Sequence, residues 1–185
     1  MASVESSGIS LTSDFFMKNF YKNNRNAFKT STRSDYTQKE LSYEDSRALK
    51  RALQKLASFD YEEEENGDNI VSTIKAFAET YNNALSSTNS DDADTYRQNR
   101  QLKALSKKYA GELEDIGISI EEDGSFSISE NILKSSSFEE VKKVFSKESD
   151  YMNKLKTIAR RMHSTSYDEI YAQMTGAGGQ LNIVL

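Results

Sequence analysis

Apolar residues recur at intervals of three and four along most of the chain, the spacing that gathers them on one face of an α-helix. Leu49, Leu53, Leu56 and Phe59 form the first strong stripe. Ser42, with Asp45 three residues on, has the form of a capping box with Asp in place of Glu, and predicts where that helix starts. Arg47, Lys50, Arg51 and Lys55 fall mostly off the apolar face. Residues 61–67 then predict a break, because adjacent glutamates repel and Asn66-Gly67 favours a turn. A second stripe, Ile70, Ile74, Phe77, Ala78, Tyr81 and Leu85, predicts a helix over about 69–86. Residues 87–94 are a polar connection. A further helix is predicted over about 95–115, with Leu102, Leu105, Tyr109, Leu113 and Ile116 on one side. The spacing predicts that these last two helices pair antiparallel, as in a coiled coil. Helices of ~20 residues are ~30 Å long, so the pair would be a rod.

The period then changes to two. Ile118 and Ile120, then Phe126 and Ile128, alternate with polar residues on either side of Asp123-Gly124, which predicts a β-hairpin. Ser129 opens a short helix through Ile132, Leu133 and Lys134. Ser137 with Glu140 forms a second capping box, opening a helix over 138–145 with Val141, Val144 and Phe145 facing inward. A last helix is predicted over about 149–162, marked by Tyr151, Leu155, Ile158 and Met162, and continuing to 174 after a break near 164–166. At the other end, Ser13 or Asp14 caps a short helix carrying Phe15, Phe16, Met17, Phe20 and Tyr21, and residues 23–38 read as a loop.

The expected fold is therefore mainly α: an antiparallel helical bundle or rod with one small β-hairpin. Its parts are a flexible tail over 1–12, an N-terminal helical segment over 13–66, and a helical stalk over 67–175 with the hairpin at about 117–128. A Gly-rich turn and an apolar end follow over 176–185. The absence of proline favours long unbroken helices.

Composition narrows the chemistry. The chain has no cysteine, which excludes disulfides, a thiolate metal site and a cysteine nucleophile, and one histidine, which excludes any two-histidine site. Lys and Arg number 24 against 29 Asp and Glu, a net charge of -5, so there is no basic excess to neutralise phosphates. No window reaches the ~18 apolar residues of a membrane helix. The first residues lack the basic-then-apolar form of a secretory signal. The expectation is synthesis in the cytosol and, if the protein leaves the cell, export without a cleaved signal peptide.

Each motif with a chemical reading has a plainer one. Gly176, Gly178 and Gly179 follow a helix and lack a Lys-Ser/Thr pair, so they read as a helix stop rather than a phosphate loop. Asp91, Asp92 and Asp94 miss the spacing of a calcium loop. Glu62 to Glu65 read as a solvated charge run. His163, after Arg160-Arg161, reads as a surface or capping histidine near a helix end. Tyr96, Arg97, Arg100, Lys103, Lys107, Lys108 and Tyr109 read as the polar flank of an amphipathic helix rather than a nucleic-acid face. No catalytic, cofactor or metal residue is assigned, and neither nucleic acid nor membrane insertion is expected.

One ordered block is more than generic. It runs from Val71 to Leu85 on one helix, with Phe77, Tyr81 and Asn82, through a second helix ending in Ile116-Gly117-Ile118, to the hairpin Asp123-Gly124-Ser125-Phe126-Ser127-Ile128. Ile132-Leu133-Lys134 and the capped Phe138, Val141, Val144 and Phe145 follow. This order resembles the C-terminal helical part of the flagellar filament cap (hook-associated) protein family and covers about half the chain, roughly residues 70–155. The resemblance implies a non-enzymatic structural or assembly protein that works by helix packing and self-association. It also implies an extracellular location at the bacterial flagellum, with flagellar axial proteins or further copies of the chain as partners. The candidate contact surfaces are Phe15, Phe16, Phe20 and Tyr21 near one end and Leu181, Ile183, Val184 and Leu185 at the other. The alternative is a cytosolic adaptor or export chaperone whose amphipathic groove takes a partner helix.

Overall fold

The computed structural model describes residues 33–61, 67–89 and 93–175. Both candidate contact segments, Phe15 to Tyr21 and Leu181 to Leu185, lie outside the described residues, as do the proposed N-terminal helix and the Gly176 helix stop.

Among the described residues, seven helices and one two-stranded sheet follow in order: α1 Gln38–Ala57, α2 Gly67–Ser87, α3 Ala93–Lys108, α4 Ala110–Asp115, β1 Ile118–Ile120, β2 Phe126–Ile128, α5 Glu130–Ser135, α6 Phe138–Phe145 and α7 Asp150–Thr175. The fold is the mainly helical bundle with a small antiparallel hairpin that the patterning predicts.

The long helices alternate in direction. Gln38 at the start of α1 donates to the Ser87 carbonyl at the end of α2, 2.5 Å. Ser42 meets Ser166 of α7 at 2.7 Å, and Gln98 of α3 donates to Thr165 at 2.7 Å. The starts of α1 and α3 therefore share one end of the bundle with the final turns of α2 and α7. Tyr109 donates to Asp150 at 2.6 Å at the opposite end, where the hairpin also sits.

α1 packs between α2 and α7, and α7 also packs on α3. This departs from the expected rod of α2 against α3. Those two helices meet mainly through hydrogen bonds: Asn99 donates to the Leu85 carbonyl at 2.6 Å and to Thr88 at 3.1 Å, and Tyr81 donates to Ser106 at 2.9 Å. A tyrosine spanning the gap holds the backbones too far apart for knobs-into-holes packing. The stripes of all the long helices merge into one buried cluster, from Leu49 and Leu53 through Phe77 and Tyr81 to Leu155 and Met162.

Three element boundaries differ from expectation. α1 begins at Gln38, ahead of the expected cap at Ser42, under a capping box made by Thr37 and Glu40. The Thr37 N–H donates to the Glu40 carboxylate at 2.8 Å. Ser42 and Asp45 lie inside the helix and are buried. The helix expected over 95–115 is two helices, broken at Tyr109, whose N–H donates to the Ser106 carbonyl at 3.0 Å in a tighter turn. α7 runs without the expected break, because Thr165 and Ser166 find partners on α3 and α1.

The hairpin matches its prediction. Ile118 pairs with Ile128, Ser119 with Ser127 and Ile120 with Phe126. Asn82 of α2 clamps the outer edge of β2: its amide donates to the Phe126 carbonyl at 2.9 Å and its own side-chain carbonyl accepts from the Phe126 N–H at 2.7 Å. A side-chain amide here takes the place of a third strand. The Tyr81 ring stacks on Phe126 at 3.7 Å and 9°. Tyr81-Asn82 thus fixes the hairpin to the bundle.

Gly117 and Gly124 both have positive φ, 80° and 90°. A Cβ on Gly117 would lie 2.9 Å from the Leu133 nitrogen and 2.9 Å from the Ser129 carbonyl oxygen, both backbone, whereas one on Gly124 would meet the flexible Lys103 side chain at 2.8 Å. Gly117→Ala is expected to destabilise by about 3 kcal/mol, from left-handed strain plus a clash that cannot relax. Gly124→Ala should lose only about 1 kcal/mol. Urea denaturation of the two variants checks the order; equal losses would show that the Gly117 turn has room.

Candidate interaction surface

Where α1 and α7 meet, their outer faces form a seam of rings and cations. On α1, Tyr43, Arg47 and Lys50 follow at helical spacing, with Arg51 beside them. On α7, His163, Tyr167 and Tyr171 do the same. The Tyr43 ring lies 5.1 Å from His163 and 6.2 Å from Tyr167, and Tyr167 stacks on Tyr171 at 6.2 Å and 17°. The Arg47 guanidinium sits over the Tyr43 ring at 5.4 Å and pairs with Glu44.

His163 is half-buried in the interior of α7, not at a helix end as expected, because α7 runs on for about three more turns. Burial and the charges of Lys50, Arg47 and Arg51 hold its pKa below the usual value, which favours the neutral ring. Its Nδ1 and the Arg47 Nε are buried without a hydrogen-bond partner. Most buried polar atoms in proteins are paired, so two such atoms in one seam mark it as unusual.

The same end of the bundle displays large rings. Tyr167 is 51% exposed, Tyr171 57% and Tyr96, at the start of α3, 47%. Arg100 lies over the Tyr96 ring at 6.0 Å. Of the expected polar flank of α3, Tyr96 and Arg100 thus pair with each other, and Lys108 covers the Tyr109 ring at 5.6 Å.

Beneath the N-terminal half of α1, Asp45 is fully buried and takes a bidentate pair from Arg33, at 2.5 and 3.0 Å. Burial raises the Asp45 pKa, with Arg33 pulling it back only in part. Burial likewise raises Glu79, against the opposing Arg33 charge. Arg33 therefore acts as the counter-charge between α1 and α2, a structural post.

The hairpin end offers two concavities. A groove of about 380 Å³ lies between the start of α2, α5 and α6, lined by Ile70, Val71, Leu133, Phe138 and Val141, with Lys134 at its edge. Ile132 is 46% exposed nearby on α5. A wider, open cleft of about 980 Å³ lies between Phe59 and Tyr61 after α1 and Lys142, Lys143 and Lys147 at the end of α6. Among the described residues, no group of three His, Asp or Glu side chains is placed to hold a metal ion. No described helix is long and apolar enough to cross a membrane. At the outer surface, Asp150 accepts from Tyr109 and pairs with Lys154, which lowers its pKa and raises both of theirs.

The seam does not stand out in the sequence. Its signal is present as Tyr43, Arg47 and Lys50 at intervals of four and three, and as His163, Tyr167 and Tyr171 at intervals of four. Each set alone is an ordinary solvated helix flank; only the α1–α7 pairing joins them. No protein-family model, curated protein or solved structure matches the chain.

Proposed function

We propose that the protein is a non-enzymatic structural or assembly protein that works through helix packing and self-association, as its resemblance to the flagellar filament cap (hook-associated) family implies. The observation that carries this reading is the display of Tyr167, Tyr171 and Tyr96 at one end of the bundle. Residues 1–32 and 176–185 flank the described bundle in the sequence. Those segments carry the bulky Phe15, Phe16, Phe20 and Tyr21 and the apolar Leu181, Ile183, Val184 and Leu185. Exposed rings gathered at one end of a bundle suit association better than solvation. The partners are flagellar axial proteins or further copies of the chain, and the location is the cell exterior. Neither a cofactor nor nucleic acid takes part.

Shearing flagella from source cells and quantifying the protein by mass spectrometry in filaments, medium and cytosol tests this. Enrichment with filaments, or in medium only while flagellar export is intact, is expected. Retention in the cytosol that is indifferent to a block of export would overturn it. The second reading, a cytosolic adaptor or export chaperone, is favoured by the apolar groove beside Ile132, which could take the face of a partner helix.

A further inference from the structure

The α1–α7 seam carries a charge opposite to that of the chain. The net charge is -5, yet Arg47, Lys50 and Arg51 follow Tyr43 along α1, and the Tyr43 ring carries the Arg47 guanidinium and touches His163. α7 adds Arg160 and Lys156, one and two turns before His163 on the same helix face. The carboxylates along these stripes are Glu40, held in the cap by Thr37, Glu44, paired with Arg47, and Asp168 beside Tyr167. Glu44 is already matched by Arg47, and the cations still outnumber the carboxylates. Arg47 Nε and His163 Nδ1, buried and without partners, lie in the middle of this field.

We propose that this seam docks an acidic segment of a protein partner. Its carboxylates meet Lys50 and Arg160, and its apolar side chains lie across Tyr43, Tyr167 and Tyr171. Arginine forks suit carboxylates, and tyrosine offers an apolar face with a polar rim. A peptide fits better than a nucleic acid for reasons of range. Screening confines the seam's field to about 8 Å at physiological salt. A short acidic segment lies within that distance. A duplex nucleic acid carries a phosphate charge every ~1.7 Å and would extend past the seam over the net-negative remainder of the chain. The inference rests on the reading of the protein as an interaction protein and names the chemistry of its partner.

Fluorescence anisotropy of the full chain with a short labelled peptide of glutamate and leucine tests it. The comparison probes are the same peptide with lysine for glutamate, and single-stranded oligothymidylate of similar length. The glutamate peptide is expected to bind, more weakly as salt rises. The Lys50→Glu/Arg160→Glu double variant should weaken binding about tenfold. Tyr167→Ala, at an exposed position, should weaken it with no change in melting temperature. Lys134→Glu, at the opposite end, should leave binding unchanged. Absent binding, equal binding of the lysine peptide, or tighter binding of oligothymidylate would overturn the proposal. So would a double variant that changes oligomeric state without changing peptide affinity, which would make the seam a self-interface. Failed peptide binding by a chain that still fractionates with filaments would remove the docking chemistry and leave the assembly reading standing. Peptide binding by a chain that stays in the cytosol would support the docking site and overturn the flagellar reading.

Discussion

Phe77→Ala is expected to destabilise the protein by about 4 kcal/mol, the upper range for truncating a buried aromatic ring. Phe77 has no exposed surface and sits where α2, the hairpin and α6 converge. Its ring lies 5.3 Å from Phe145 at 72°, 5.9 Å from Phe126 and 6.2 Å from Tyr81. The edge-to-face contact adds to the burial, because ring edges are positive and ring faces negative. Alanine would leave a cavity bounded by three other rings whose positions are already fixed. Phe126 is clamped by Asn82, and Tyr81 is tied to Ser106. The site cannot collapse, which places the loss high in its range. At ~3 °C per kcal/mol for a chain of this size, the melting temperature should fall by about 12 °C. Phe77→Leu should retain roughly half of the lost stability. A calorimetric loss below about 1 kcal/mol, no more than an average point substitution, would show that the aromatic cluster is not the core of the fold.

Arg33→Ala is the second large effect, a loss of about 3 kcal/mol at neutral pH. Asp45 is fully buried, and the bidentate Arg33 is its charge partner. Removing the arginine leaves a carboxylate in a low-dielectric site. Arg33 is itself partly exposed, which keeps the loss at the low end of the range for broken buried pairs.

The pH dependence identifies the mechanism. The folded-state pKa of Asp45 is already raised by burial, and it rises further without Arg33. A raised carboxyl pKa means that the folded state holds its proton longer than the unfolded chain. Stability then falls as pH rises through the window between the unfolded and folded values. The Arg33→Ala deficit should therefore be largest at neutral pH and shrink as pH falls towards ~4. His163 works in the opposite sense. Its lowered pKa contributes stability that is present above ~6.5 and lost as pH falls through its folded value. Comparing variant with parent at each pH cancels that contribution. An Arg33→Leu/Asp45→Leu chain should recover most of the loss, because an apolar pair of similar volume serves a buried site as well. Urea titrations at several pH values read both effects. A deficit independent of pH, with no recovery in the double variant, would mean that Arg33 acts through packing and not charge.

The helical faces were legible in the sequence because periodicity is a local property. The α2 stripe, the inward Val141, Val144 and Phe145, the Ser137 capping box and the Asp123-Gly124 turn all appear where the pattern puts them. The cap of α1 shows the limit. Thr37-x-x-Glu40 and Ser42-x-x-Asp45 both have the capping form, and local sequence does not choose between them. Ser42 and Asp45 are drawn inside by Ser166 and Arg33, which leaves the cap to Thr37. The same cause explains the unbroken α7. Ser164 to Ser166 look like a helix interruption until Ser42 and Gln98 supply partners for the polar side chains.

The candidate surface was the least legible part. His163 read as a helix-end residue because the polar run after it has the composition of a helix stop, and its contact with Tyr43 joins positions far apart in the chain. The α3 flank was legible as a row of cations and rings, but Tyr96 and Arg100 pair with each other on α3 and do not join the seam.

By itself the sequence determined which residues face inward, where the described hairpin turns and that no histidine pair or thiol chemistry is available. These follow from spacing and composition. Only the tertiary structure decided which helices are neighbours. A stripe specifies that a face is buried but not against what, and the choice of α1 as the helix between α2 and α7 depends on side-chain shape and polar partners across the whole bundle. Ser42 and Ser166 meet over a separation of 124 residues. No short window of sequence contains both, and the seam above them exists only because α1 and α7 pack together.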